Sequence, residues 1–77
     1  MEMNQAEKRG IKVELRERRM EKHLTQTELA KRLRMSQSYL GQIERGEVLP
    51  TVDLANRIAK ALVCTTFDIW KEQSPSE

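Results

Sequence analysis

The sequence predicts an all-α domain, a compact bundle of five short helices. Three observations carry that expectation. Apolar residues recur at helical spacing along most of the 77 residues, and no segment alternates with the period of a strand. Charged residues make up 34% of the chain and aromatic residues only 4%, a balance that suits helices with long solvated faces. Helix-starting signals also recur at intervals that leave room only for short helices. A chain of this length forms one small domain and buries about 60–65% of its unfolded surface, so its core is thin.

The first element opens at Asn4 and Glu7, a capping box that can begin a helix early. Ile11, Leu15 and Met20 give that helix a core side, and it should end near Lys22. Thr25 and Glu28 form a clearer box before "QTELAKRL", whose Leu29, Ala30 and Leu33 share a face. Ser36 is the N-cap candidate for "QSYLGQIER", which Gly46 can end in the left-handed conformation. Pro50 forbids helix in the connector "GEVLPT". Thr51 caps "VDLANRIAKAL", with Val52, Ala55, Ile58, Ala59 and Leu62 expected inward. Thr65 and Asp68 begin a last short helix containing Phe67, Ile69 and Trp70, and "SPSE" should fray. The organisation expected is an N-terminal extension over 1–8 that can open the first helix, a domain over 9–71, and a tail over 72–77.

Composition narrows function. The net charge is only +2, but residues 1–24 carry seven basic and five acidic side chains, whereas residues 63–77 carry one and three. The positive excess lies in the N-terminal half. Cys64 and His23 are each alone, so neither a disulfide framework nor a metal site is expected, and no cofactor is implied. No apolar run reaches the roughly 18 residues of a membrane span, and the N-terminus has no signal-peptide core, so a cytoplasmic protein is expected.

The helix after Ser36 departs from the rest. Leu40 and Ile43 must face the core, with Glu44 beside them. Gln37, Ser38, Gly41, Gln42 and Arg45 form the opposite stripe. Elsewhere the solvated faces are mixtures of Lys, Arg and Glu, as in "ELRERRMEK". Gly41 costs roughly 1 kcal/mol against Ala inside a helix, which makes sense if something approaches the backbone there. Side-chain amides can read adenine bidentately in the major groove. Composition leaves a solvated face and a base-reading face equally open.

"LTQTELAKRLRMSQSYLGQIERGEVLP", together with Arg19 and "IAKAL" at 58–62, resembles the helix-turn-helix of the Xre family, of lambdoid phage repressor and Cro type. The resemblance covers about residues 11–70. "SYLGQIERG" is also similar to the recognition helix of restriction–modification controller proteins, which often carry Tyr at the place of Tyr39. The resemblance implies a lambda repressor-like fold whose recognition helix starts at Ser36. It implies Gln37, Ser38 and Gln42 as base contacts. It places Gln26 on a phosphate, with Ser36, Tyr39, Arg45 and Arg34 as further phosphate contacts. For Tyr39 a half-buried core position with a wet hydroxyl is an equal reading. Arg19 and Glu44 are implied as a structural ion pair between the first helix and the recognition helix.

Three positions depart from the family's usual glycine after a helix: His23, Arg34 and Val63. An L-residue in the left-handed conformation costs roughly 1–2 kcal/mol, so a different closure is expected at β-branched Val63. Family repressors dimerise near the C-terminus. Phe67 stands at a usually polar position and, with Trp70, is the candidate dimer interface; Cys64 lies at the same seam or in the core. The resulting expectation is a non-enzymatic, homodimeric, sequence-specific regulator of double-stranded DNA with a palindromic operator and no small-molecule effector. The alternative is an antitoxin or other helix bundle whose main partner is a protein.

Overall fold

The computed structural model describes residues 2–73 of the chain. Among them, six helices and one small sheet occur in the order α1 (Gln5–Lys8), β1 (Ile11–Val13), α2 (Leu15–Glu21), α3 (Gln26–Leu33), α4 (Gln37–Glu44), α5 (Val52–Ala61), α6 (Thr66–Ile69) and β2 (Trp70–Glu72). The tail expected to fray, residues 74–77, lies outside the described residues. The helical bundle is the one expected, but the expected first helix is divided. Gly10, at φ +66°, turns the chain after a single helical turn. Ile11–Val13 then pairs antiparallel with Trp70–Glu72, a sheet the sequence pattern does not reveal. That register puts Lys12 opposite Lys71, and like charges facing across a ladder repel. Glu14 lies between them, 3.4 Å from Lys12 and 3.1 Å from Lys71. The hydrogen bond from Lys71 is the main reason its carboxyl stays below the usual glutamate range.

Helix starts are where the caps predict. The Thr25 hydroxyl accepts from the Glu28 backbone N–H at 3.0 Å, and Glu28 accepts from the Thr25 N–H at 2.8 Å. Ser36 caps α4 through the Tyr39 N–H at 3.1 Å, and Thr51 caps α5 through the Leu54 N–H at 3.2 Å. The Asn4–Glu7 box opens α1 as expected.

Helix ends repeat one pattern four times. After α2, α3, α4 and α5, a residue with positive φ is succeeded by one whose N–H reaches back five positions, as in a Schellman closure. These bonds are Leu24 N to Arg19 O (3.2 Å), Met35 N to Ala30 O (3.0 Å), Glu47 N to Gln42 O (2.9 Å) and Cys64 N to Ala59 O (3.0 Å). Only α4 uses glycine, Gly46 at φ +76°. His23, Arg34 and Val63 all take φ 56°. The different closure expected at Val63 is therefore corrected: the valine accepts the strained conformation. Leu24, Met35 and Cys64, the residues just beyond, pack on the core and anchor those closures.

The core is built from Leu15, Leu29, Leu40, Ile43, Ile58, Leu62 and Ile69, all but removed from water. Four residues expected inward are not in it: Ile11 and Ala55 are half-buried and line a surface groove, and Met20 and Val52 are exposed. Met20 is 54% exposed, because it follows Leu15 by five residues within α2, about 140° round the helix, and faces away once Leu15 is buried. Val52, in the first turn of α5, is 79% exposed.

Besides the core packing of Leu40 and Ile43, an ion pair ties α4 to α2. Arg19 Nε lies 2.7 Å from Glu44 Oε2 and its Nη2 lies 3.3 Å from Oε1. Arg19 Nη1 also donates to the Leu24 carbonyl at 2.7 Å, which ties in the α2–α3 turn. The two side chains are only 11% and 5% exposed. Taking two charges out of water costs several kcal/mol per ion, so the pair holds only because each charge is answered.

This packing sets two expectations. Arg19→Ala and Glu44→Ala should each destabilise by up to about 3 kcal/mol in chemical denaturation, with the double variant well short of the sum. Additive losses below about half a kcal/mol each, the scale of exposed pairs, would contradict the assignment. Val63→Gly should instead stabilise by about 1 kcal/mol, since it removes left-handed strain at a side chain 79% exposed. A loss of stability on that substitution would show that the strain relieved is smaller than the freedom glycine adds to the unfolded chain.

Candidate nucleic-acid interface

Ser36 starts α4 at the edge of the molecule. Its cap turns the first helical turn outward, so Gln37, Ser38 and Tyr39 are exposed while Leu40 and Ile43 enter the core. Gln42 is half-buried farther along the helix. At Gly41 the approach anticipated from sequence is made by the protein itself. A Cβ there would lie 3.1 Å from Arg45 Nη1 and 3.4 Å from Gln26 Nε2. The Gln26 amide lies against α4 at ordinary contact distance from this position.

That amide joins the ion pair to the outer face. Gln26 Nε2 donates to Glu44 Oε1 at 3.1 Å, and Gln26 Oε1 accepts from Gln37 Nε2 at 3.3 Å. The direction of the chain is fixed by chemistry. An ionised carboxylate only accepts, so the NH₂ of Gln26 must face Glu44 and its oxygen must face outward. Gln37 then has to present an N–H to Gln26. One further N–H and the carbonyl oxygen of Gln37 stay free, the donor–acceptor pair that matches adenine N7 and N6. Arg19, Glu44, Gln26 and Gln37, drawn from three helices, thus form one continuous network.

The other candidate contacts are arranged less tightly. The Ser36 oxygen is engaged in the cap, which leaves its hydroxyl hydrogen to donate. Arg34 is exposed in the α3–α4 turn, and Tyr39 lies outside the buried core. Arg45 is paired at close range with Glu47, both largely exposed, and this contact holds the Glu47 carboxyl below its usual range. A phosphate at Arg45 would have to compete with that carboxylate. Gln26 is half-buried and committed to Glu44 and Gln37, so an anion there would meet the free backbone N–H groups of the first turn of α3 rather than the full side-chain amide.

The residues expected at a dimer seam separate. Phe67 is 83% exposed and Trp70 half-buried, and both line a shallow groove with Ile11, Leu49 and Val52. Arg9 and Glu72 stand on its rim. Cys64 is not there. It packs on the core just beyond Val63, near Arg18, and burial pushes its thiol up. Sequence reasoning missed Ile11, Leu49 and Val52, because nothing local shows that β1, the connector and α5 meet. The Trp70 ring N–H is buried without a hydrogen-bond partner among the described residues.

Among the described residues no group of three or more His, Cys, Asp or Glu side chains could hold a metal ion, and no helix is long and apolar enough to cross a membrane.

Comparison with known proteins bears on the family and the fold. The chain is 51% identical over 45 residues to the ImmF control region 10 kDa protein of Bacillus phage phi105, a match that covers 58% of this chain and 50% of that protein. The crystal structure of the clp gene regulator ClgR from Corynebacterium glutamicum superposes with a TM-score of 0.66 at 35% identity, covering 70% of this chain and 57% of that one. The chain thus spans about half the length of these relatives. A helix-turn-helix family model matches residues 15–69, more than half the sequence and the stretch from α2 through α6. The chain therefore belongs to the Xre-type helix-turn-helix family, a family of DNA-binding regulators and not of enzymes.

Proposed function

We propose that the protein is a cytoplasmic transcriptional regulator that binds a palindromic double-stranded DNA operator as a homodimer. The observation that carries this reading is the hydrogen-bonded presentation of Gln37. Its side chain is exposed, yet its orientation is fixed by a path that ends in a buried charge. A merely solvated glutamine has no need of such support. Base reading has, because side chains fixed before binding lose less conformational freedom on the DNA. In this reading α4 lies in the major groove, Gln37 and Ser38 meet base edges from the first turn, and Gln42 reads a neighbouring pair. Arg34, Ser36, Tyr39 and Arg45 serve the phosphates, with the start of α3 at Gln26. The phage control-region relative and the ClgR structure support regulation of a promoter.

Dimerisation is supported by the groove. Phe67 and Val52 are large apolar side chains left in water, and Arg9 and Glu72 on one rim give that rim both signs of charge. A two-fold copy can satisfy both at once. The same groove is what a protein-interaction module would use, so the two readings differ in which surface is essential.

Gln37→Ala should weaken operator binding about ten- to a hundredfold and relax preference at one symmetric pair of base positions. Its binding to non-specific DNA should hardly change, because glutamine neutralises no phosphate. Arg45→Ala should weaken binding to all sequences and flatten the salt dependence. Identical profiles for the two variants in a salt-titrated binding assay would overturn the reading and favour the protein-interaction alternative.

Phe67→Asp, at a site too exposed to disturb the core, should leave the fold intact and shift sedimentation toward monomer. Dilution of the parent protein should change the fluorescence of Trp70, the only tryptophan. A parent protein that sediments as a monomer, free and on DNA, would rule out the seam.

A further inference from the structure

The stretch that the family model matches begins at residue 15, yet the chain before it is fastened to the end of the recognition helix. Asn4 Nδ2 donates to the Arg45 carbonyl at 3.0 Å. The Ala6 N–H donates to the Gly46 carbonyl at 3.0 Å. Gln5 Oε1 accepts from the Leu49 N–H at 2.7 Å. Ala6 is buried against this turn, and a Cβ on Gly46 would come within 2.9 Å of its methyl group. The closure at Gly46 answers the carbonyls of Gly41, Gln42 and Ile43, and Asn4 and Ala6 answer those of Arg45 and Gly46 just beyond the helix.

A single helical turn has almost no stability of its own, so α1 depends on the strand next to it in the chain. That strand, β1, pairs through Ile11–Val13 with β2 and is so attached to the end of α6. The same two strands contribute Ile11 and Trp70 to the apolar groove. Residues 4–13 therefore run from the C-terminal end of α4 to the proposed dimer seam.

We propose that residues 4–13 form a positioning bracket that fixes the recognition helix relative to the dimer seam, and so selects the half-site spacing at which two recognition helices read together. Asn4 and Gln5 are its positioning residues; neither touches a base. The inference rests on the dimeric DNA-reading function proposed above. Without the bracket α4 keeps its core contacts and, at its last residue, the Arg19–Glu44 pair, but the turn at Arg45 and Gly46 and the connector up to Leu49 lose their attachment.

The test uses Asn4→Ser combined with Gln5→Met. Serine keeps the cap on the Glu7 N–H but is too short to reach the Arg45 carbonyl. Methionine keeps the length of Gln5 without an acceptor for Leu49. Amide exchange on the free protein should quicken about tenfold at Leu49 and in the adjoining turn, with α3 and α5 unchanged. On operators whose half-site separation is altered by one base pair either way, the parent protein should lose about tenfold or more. The variant should bind all three spacings within about threefold of one another. A purely structural role would lower affinity for all three by one common factor, and that result overturns the proposal. Unchanged exchange would show that Asn4 and Gln5 do not hold this end of α4, and would overturn their assignment as positioning residues. A parent protein that selects no paired half-sites would defeat the dimeric reading, and with it the spacing role, while the exchange result still decides whether the attachment exists.

Discussion

A carboxylate removed from water has to be answered by donors, and Glu44 is where this small domain meets that requirement. Arg19 gives it two N–H groups from α2, and Gln26 gives it a third from α3. Because the carboxylate can only accept, the Gln26 amide has a single satisfactory orientation, and that orientation in turn sets Gln37. One buried charge thereby determines the position of α4 against α2 and the direction in which an exposed side chain presents its hydrogen-bonding groups. Replacing Glu44 with an apolar residue would not reproduce this, even if the core packed as well. Nothing would then distinguish the two ends of the Gln26 amide.

The rest of the architecture keeps α4 in that position against a conformational cost. Three of four helix closures place non-glycine residues in the left-handed region, at roughly 1–2 kcal/mol each. The closures persist because Leu24, Met35 and Cys64 each bury apolar surface immediately afterwards. Gly46 is the exception for two reasons at once. It needs φ +76°, and it leaves room for the Ala6 methyl group that seats α1. α1 thus fastens the turn immediately after Glu44, at the same end of α4 as the buried ion pair.

Much of this is legible in the sequence, and the failures have identifiable causes. Capping boxes at Thr25 and Asn4 and the cap at Ser36 are local chemistry, and the structure places helix starts at each. The amide stripe stands out because its neighbours are charged, and α4 does present Gln37 and Ser38 outward. Ile11–Val13 reads as helix because a three-residue strand is too short to show alternation, and its partner lies at the other end of the chain. Val52 fits the helical apolar pattern but falls in the first turn of α5, where the neighbouring connector leaves it in a groove rather than in the core. Proximity along the chain groups Cys64 with Phe67. The closure at Val63 instead directs it to the core on another side.

The measurement that bears most directly on the oriented glutamine is sequencing of duplexes retained by the full chain from a random DNA pool. The network predicts one enriched inverted repeat, with half-site centres about 10 base pairs apart and an A·T pair at symmetry-related positions facing Gln37. A pool that remains random after repeated rounds, or an enriched site without two-fold symmetry, would contradict the account.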